Sequence, residues 1–118
     1  MPSDNLQVKH VNTDKEKEII IRHLCVLYRQ AQLRLDLEEA EAPNRPLSNV
    51  RLDDKSYIYK LDRSLLCCSS ETQWVIRKEY LEVNPKGWYL DYVSRYTFQR
   101  MRKKAVREFY DILDLEAN

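Results

Sequence analysis

Glycine is almost missing from this chain, which has one in 118 residues alongside four prolines. The residues that most readily interrupt helices or build tight hairpin turns are therefore scarce. Sustained apolar–polar alternation flanked by Gly-rich turns is lacking too, and with it the usual signature of a hairpin sheet. No apolar run approaches a membrane span, and the opening Met-Pro-Ser-Asp-Asn-Leu-Gln-Val-Lys-His holds none of signal-peptide length, so a soluble cytoplasmic protein with no membrane partner is expected. Cys25, Cys67 and Cys68 are odd in number and poorly spaced for a disulfide framework; they read as small core residues in a reducing compartment. Together with His10 and His23 they are the only soft metal ligands, and their spacing matches no zinc pattern. A Gly-rich phosphate loop, a serine elbow and a recognisable Cys–His motif are all lacking. The adjacent carboxylates Glu38–Glu39 and Asp53–Asp54 would diverge on a helix, and solvation or capping explains them. Catalysis, a cofactor and a metal are accordingly not expected.

What is present favours an all-α protein. A composition 43% hydrophobic and 33% charged lies far from disorder, and the length suffices to bury a core without disulfide or metal staples. Residues 1–12 are polar and unpatterned and read as a flexible lead. Thr13-Asp-Lys-Glu16 is a capping box, opening a long amphipathic helix over 13–41 with Ile20, Leu24, Leu27, Tyr28, Ala31 and Leu35 on one stripe. Its Ile20, Leu24, Leu27, Ala31 spacing could form a seam with a second copy, giving a homodimer, or could wall the core of the same chain. Leu33 and Leu37 lie off that stripe. Two prolines mark residues 42–52 as a linker.

Beyond it, Asp53 or Asp54 is expected to cap a helix running to about Leu66, with Ile58, Leu61 and Leu65 at core spacing. Ser70-Glu-Thr-Gln73 reads as a second capping box, for a helix burying some of Trp74, Ile76, Tyr80 and Leu81. Val83-Asn-Pro-Lys-Gly87 ends it, a short apolar piece Trp88–Val93 follows, and Ser94 caps the last helix.

That last helix concentrates the positive charge. Residues 94–107 hold six Arg or Lys and no acid, in a chain of net charge +1. At about 100° per residue from Tyr96, the residues Phe98, Met101, Ala105, Phe109 and Ile112 gather between about 140° and 220°. Tyr96, Gln99, Arg100, Lys103 and Arg107 lie within about 60° of zero. A solvated helix surface is the plain explanation of such a face. The absence of i,i+4 acids before Glu108, and the company of Tyr96 and Gln99, favour nucleic-acid contact. Phosphates would fall to Arg95, Arg100, Lys103, Lys104 and Arg107, base edges to Tyr96, Gln99 and Arg100, with Ser94 and Thr97 capping the helix or meeting phosphate. Trp74, Trp88 and Tyr89 fit packing better than base stacking.

The stretch Val93-Ser-Arg-Tyr-Thr-Phe98, with Ala105 following, resembles the turn and recognition helix of sigma-factor region 4 and related helix-turn-helix domains. The segment Leu61–Leu113 is similar to phage late-transcription regulators of the ArpU and RinA type, and to small proteins of mollicutes and other firmicutes. This resemblance covers about the last half of the chain. It implies a three- to four-helix helix-turn-helix domain over about 53–114, duplex DNA as partner, and a part in transcription with RNA polymerase as a possible contact. One position departs from the pattern: Tyr92 stands where many such turns place Gly. Docking of the basic helix on an acidic protein, RNA polymerase for example, is the alternative from another class, and RNA binding is a third.

Overall fold

A computed structural model describes residues 12–117, with side chains to residue 115. The lead expected over 1–12 lies outside the described residues except for Asn12. Among the described residues four α-helices carry the fold: α1 (Asp14–Glu41), α2 (Asn49–Leu66), α3 (Ser70–Ile76) and α4 (Arg95–Ala117). A π turn, Arg77–Leu81, continues α3, and one 3-10 turn, Trp88–Asp91, precedes α4. No strand occurs among the described residues. None of the described helices is long and apolar enough to cross a membrane.

The helix starts follow local hydrogen bonding. Thr13 closes the expected capping box: Glu16 N donates to Thr13 Oγ1 at 3.2 Å, and Thr13 N donates to Glu16 Oε1 at 2.8 Å. Two other starts differ from the sequence expectation. α2 begins four residues before Asp53, because Ser48 Oγ accepts from Arg51 N at 3.3 Å, and the linker shrinks to residues 42–48. Asp54 is 9% exposed and serves a different purpose, as Arg34 of α1 reaches it through Nε at 2.9 Å and Arg51 at 3.0 Å. α3 is capped by Ser69 rather than Ser70, with Thr72 N donating to Ser69 Oγ at 3.3 Å.

One core joins all four helices, built on Ile21 and Cys25 of α1, Leu61 and Leu65 of α2, Val75 and Ile76 of α3, and Phe98, Ala105, Val106 and Phe109 of α4. The long first helix is thus a wall of this core: of the seam considered for pairing, Ala31 is 1% exposed and Leu24 rests on the core, while Ile20 and Leu27 are half-buried. The buried stripe of α1 is turned from the expected one toward Ile21 and Cys25, since α2, the π turn and α4 all pack on this helix. Leu33 and Leu37 stay exposed. Tyr57 Oη donates to the Leu24 carbonyl and Tyr28 Oη to Asp62, both at 2.8 Å, so two tyrosine hydroxyls tie α1 to α2. Cys25 and Cys68 are core residues as expected, whereas Cys67 is exposed.

Candidate nucleic-acid interface

The basic helix is positioned from both ends. At its start, Ser94 Oγ accepts from Thr97 N at 3.1 Å and donates to Thr97 Oγ1 at 3.0 Å, so both hydroxyls serve the cap. Below the first turn lies an aromatic floor. Phe98, 1% exposed, stacks on Tyr89 with centroids 3.9 Å apart, and Trp88 meets Phe98 and Trp74 edge-on at 5.4 and 5.1 Å. Trp88 Nε1 donates to Glu79 at 3.0 Å, which ties the 3-10 turn back to the π turn. Trp74, Trp88 and Tyr89 are thus packing residues.

The connector between the π turn and α4 spans residues 82–94, far longer than the three- or four-residue turn of a compact helix-turn-helix. The left-handed position falls at Gly87, with φ 79°, where an added Cβ would lie 3.3 Å from Leu90 Cδ1. Tyr92 has φ −116°, an ordinary value, so the position where the pattern wants Gly carries no strain here.

Farther along α4, Glu108 fixes the rotation of the helix about its axis. Its carboxylate accepts from Ser69 N at 3.0 Å, from Ser69 Oγ at 2.9 Å and from the Thr72 hydroxyl, capping α3 across the core. The Thr72 hydrogen bond, chief among these contacts, holds Glu108 below the usual carboxylate value. This setting buries Phe98, Ala105 and Phe109 as expected, and also Val106, 3% exposed, which the wheel had placed outside the apolar arc. The buried arc is turned toward α1.

That rotation sorts the cations into two groups. Arg107 is held by α1: its Nε donates to Asp14 Oδ1 at 2.8 Å and its Nη2 to Asp14 Oδ2. The pair lowers the Asp14 pKa and raises that of Arg107. Arg102, half-buried, stands 3.8 Å from both Glu18 and Glu79 and donates to Gln99 Oε1. Arg95, Arg100, Lys103 and Lys104 form no ion pair among the described residues and are exposed. Arg100 lies over the Tyr96 ring, 5.9 Å from its centroid, and Tyr96 is 73% exposed. The structure therefore gathers Arg95, Tyr96, Gln99, Arg100, Lys103 and Lys104 on the amino-terminal half of α4, and separates Arg107 from them by engaging it.

A groove of about 530 Å³ runs between this half of α4 and the start of α1. Tyr96, Gln99, Arg100 and Lys103 line one wall, and Asp14, Lys15 and Glu18 the other. Sequence reasoning did not find this acidic wall. Its only local sign was Asp14 in the first turn of a capped helix, which reads as an ordinary dipole partner until the fold places it beside α4.

Comparison with protein-family models, with curated proteins and with solved structures gives no match to this chain.

Proposed function

We propose that this protein is a sequence-specific DNA-binding regulator of transcription that presents the amino-terminal half of α4, from Arg95, to a major groove. The observation that carries this reading is the cluster of four cations without ion pairs, Arg95, Arg100, Lys103 and Lys104, interleaved with exposed Tyr96 and Gln99 on one end of a rigidly packed helix. Groove-reading helices contact bases with their amino-terminal residues and phosphates with the cations around them. In this reading Arg95, Lys103 and Lys104 meet phosphates, Tyr96, Gln99 and Arg100 approach base edges, and Ser94 and Thr97 hold the helix start. Arg107, farther along the same face, is held by Asp14. The long connector makes the scaffold a departure from compact helix-turn-helix domains, so the resemblance to sigma region 4 rests on α4 and its cap.

Fluorescence anisotropy with duplex DNA at low salt tests the reading. Wild type should bind and an Arg100→Ala, Lys103→Ala double variant should bind much more weakly. Equal binding by the two proteins, or none by wild type, overturns it.

A second reading is favoured by exposed apolar residues in the connector just before α4, where Leu90 is 51% and Tyr92 67% exposed. A protein docking site combines such residues with complementary charge, and an acidic partner such as RNA polymerase would fit. A stoichiometric protein partner that survives nuclease treatment would select this reading, and co-purifying nucleic acid the first.

A further inference from the structure

The first helix has apolar spacing on two sides, and the core takes only one of them. At about 100° per residue, Ile19, Val26, Leu33 and Ala40, seven residues apart, fall with Leu37 in an arc about 60° wide, turned away from buried Ile21, Cys25 and Ala31. Polar His23 and Gln30 take the intervening places. The steps from 19 to 40 are then four and three in strict alternation, the repeat of a two-stranded coiled coil. Ile19 is 55%, Leu33 57% and Leu37 53% exposed, so the described residues leave most of this stripe open. It is a different seam from Ile20, Leu24, Leu27 and Ala31, of which the core takes Leu24 and Ala31. Single exposed apolar residues need no explanation, whereas a stripe in register along most of a 28-residue helix marks an interaction surface.

The charges of the helix identify the occupant. Between Glu18 and Asp36 it carries Arg22, Arg29 and Arg34 and no acid; Asp36, Glu38, Glu39 and Glu41 then follow with no cation. Two such helices laid parallel would set like blocks side by side. Laid antiparallel, each cationic block meets the acidic block of the other, so the face is complementary to itself when reversed. Along one edge of the stripe Arg22, Arg29 and Asp36 also recur every seven residues. Arg22 is engaged by Glu18, but Arg29 forms no hydrogen bond or ion pair among the described residues.

We infer that this stripe is the interface of an antiparallel homodimer, with two copies of α1 related by a two-fold axis near residues 31 and 32. In that register Val26 meets the partner's Leu37, Leu33 the partner's Gln30, and His23 the partner's Ala40. Arg29 pairs with the partner's Asp36, twice by symmetry. A polar residue at such a seam costs stability and fixes register, which is the part Gln30 plays. A free peptide of three heptads is marginal in water, but α1 is already ordered by its own core, so association orders no backbone. The dimer does not depend on what α4 binds.

Sedimentation equilibrium of the full chain from about 1 µM to about 1 mM, the range over which modest interfaces dissociate, tests the inference. Wild type should pass from monomer to dimer. Leu33→Glu, checked for native circular dichroism and Tm, should weaken dimerisation by about tenfold or more, the scale of one leucine returned to water on each subunit. Val83→Glu, at an 88% exposed position off the stripe, should associate like wild type. Arg29→Asp and Asp36→Arg should each weaken the dimer and together restore it, because the combined variant exchanges the two charges of each pair. A monomer at every concentration, or dimerisation of Leu33→Glu equal to that of wild type, would overturn the inference. So would a dimer tightened by Arg29→Asp, which parallel helices predict because Arg29 then faces the partner's Arg34, or one lost in Arg100→Ala, Lys103→Ala and kept in the stripe variants.

Discussion

Arg100 and Arg107 carry the same charge two turns apart on α4, yet they should behave differently on a polyanion. Arg107 gives its guanidinium to Asp14, while Arg100 rests on Tyr96 and forms no ion pair among the described residues. Each cation brought onto a duplex phosphate contributes about 0.9 to the slope of log K against log salt. The four cations without ion pairs then predict a slope of about −3.6, a loss of affinity on the order of 10²-fold between about 50 and 200 mM salt. Arg100→Ala should reduce the magnitude of that slope by about 0.9. Arg107→Ala should leave it nearly unchanged, because Asp14 already neutralises that side chain. Asp14→Asn should do the reverse of Arg100→Ala: it frees Arg107, steepens the slope by about 0.9 and tightens binding at low salt. The double variant Asp14→Asn, Arg107→Ala should return to the wild-type slope. Anisotropy titrations at four or more salt concentrations read all five proteins. Equal losses of slope in Arg100→Ala and Arg107→Ala, or no steepening in Asp14→Asn, would refute the sorting of cations described above.

Three further outcomes follow from the packing and the titrating groups. Phe98→Ala removes the ring stacked on Tyr89 and should cost about 3–5 kcal/mol in urea unfolding; a change under 1 kcal/mol would mean that the aromatic floor does not support α4. The Arg107 hydrogen bonds to Asp14, the Arg34 hydrogen bonds to Asp54 and the Thr72 hydrogen bond to Glu108 lower these carboxylates from their ordinary values of 3.8, 3.8 and 4.5. Their contribution is complete above those ordinary values and is lost as pH falls through the lower folded-state ones, so Tm should hold from neutral to about pH 5 and drop in more acid solution. A Tm that rises over the acid range would contradict the sign. Burial raises the Cys25 thiol to about 12 and Cys68 to about 11, whereas Cys67 is exposed, so Ellman's reagent should find one fast thiol in the native protein and three in denaturant.

Much of the architecture was legible in residue order because its signals are local. The Thr13 capping box, the Ser94 cap, the end of α2 at Leu66 and the turn at Gly87 depend on neighbours within a few positions. Errors arose where a distant partner decides. Asp54 looked like a cap because nothing nearby announced Arg34, twenty residues earlier in the chain. Ser70 looked like the cap of α3, but Ser69 takes that place with help from Glu108, 39 residues away. The polar face of α4 was visible as a pattern of charge. Its division into engaged and free cations was not, since it depends on Asp14 and Glu18 arriving from the other end of the sequence.

The Asp14–Arg107 pair bridges 93 positions, which has a consequence for the order of events during synthesis. A chain emerging from its amino end can form α1 and α2 early, through contacts of modest sequence separation. Ile21 and Cys25 must then wait with an open apolar flank until Phe98 and Phe109 arrive. The same closing step covers that flank and sets the α4 cations beside α1, so presentation of the basic face and completion of the core coincide. Contacts of such separation slow folding, and a nascent chain halted before α4 would display a sticky α1 and no basic face.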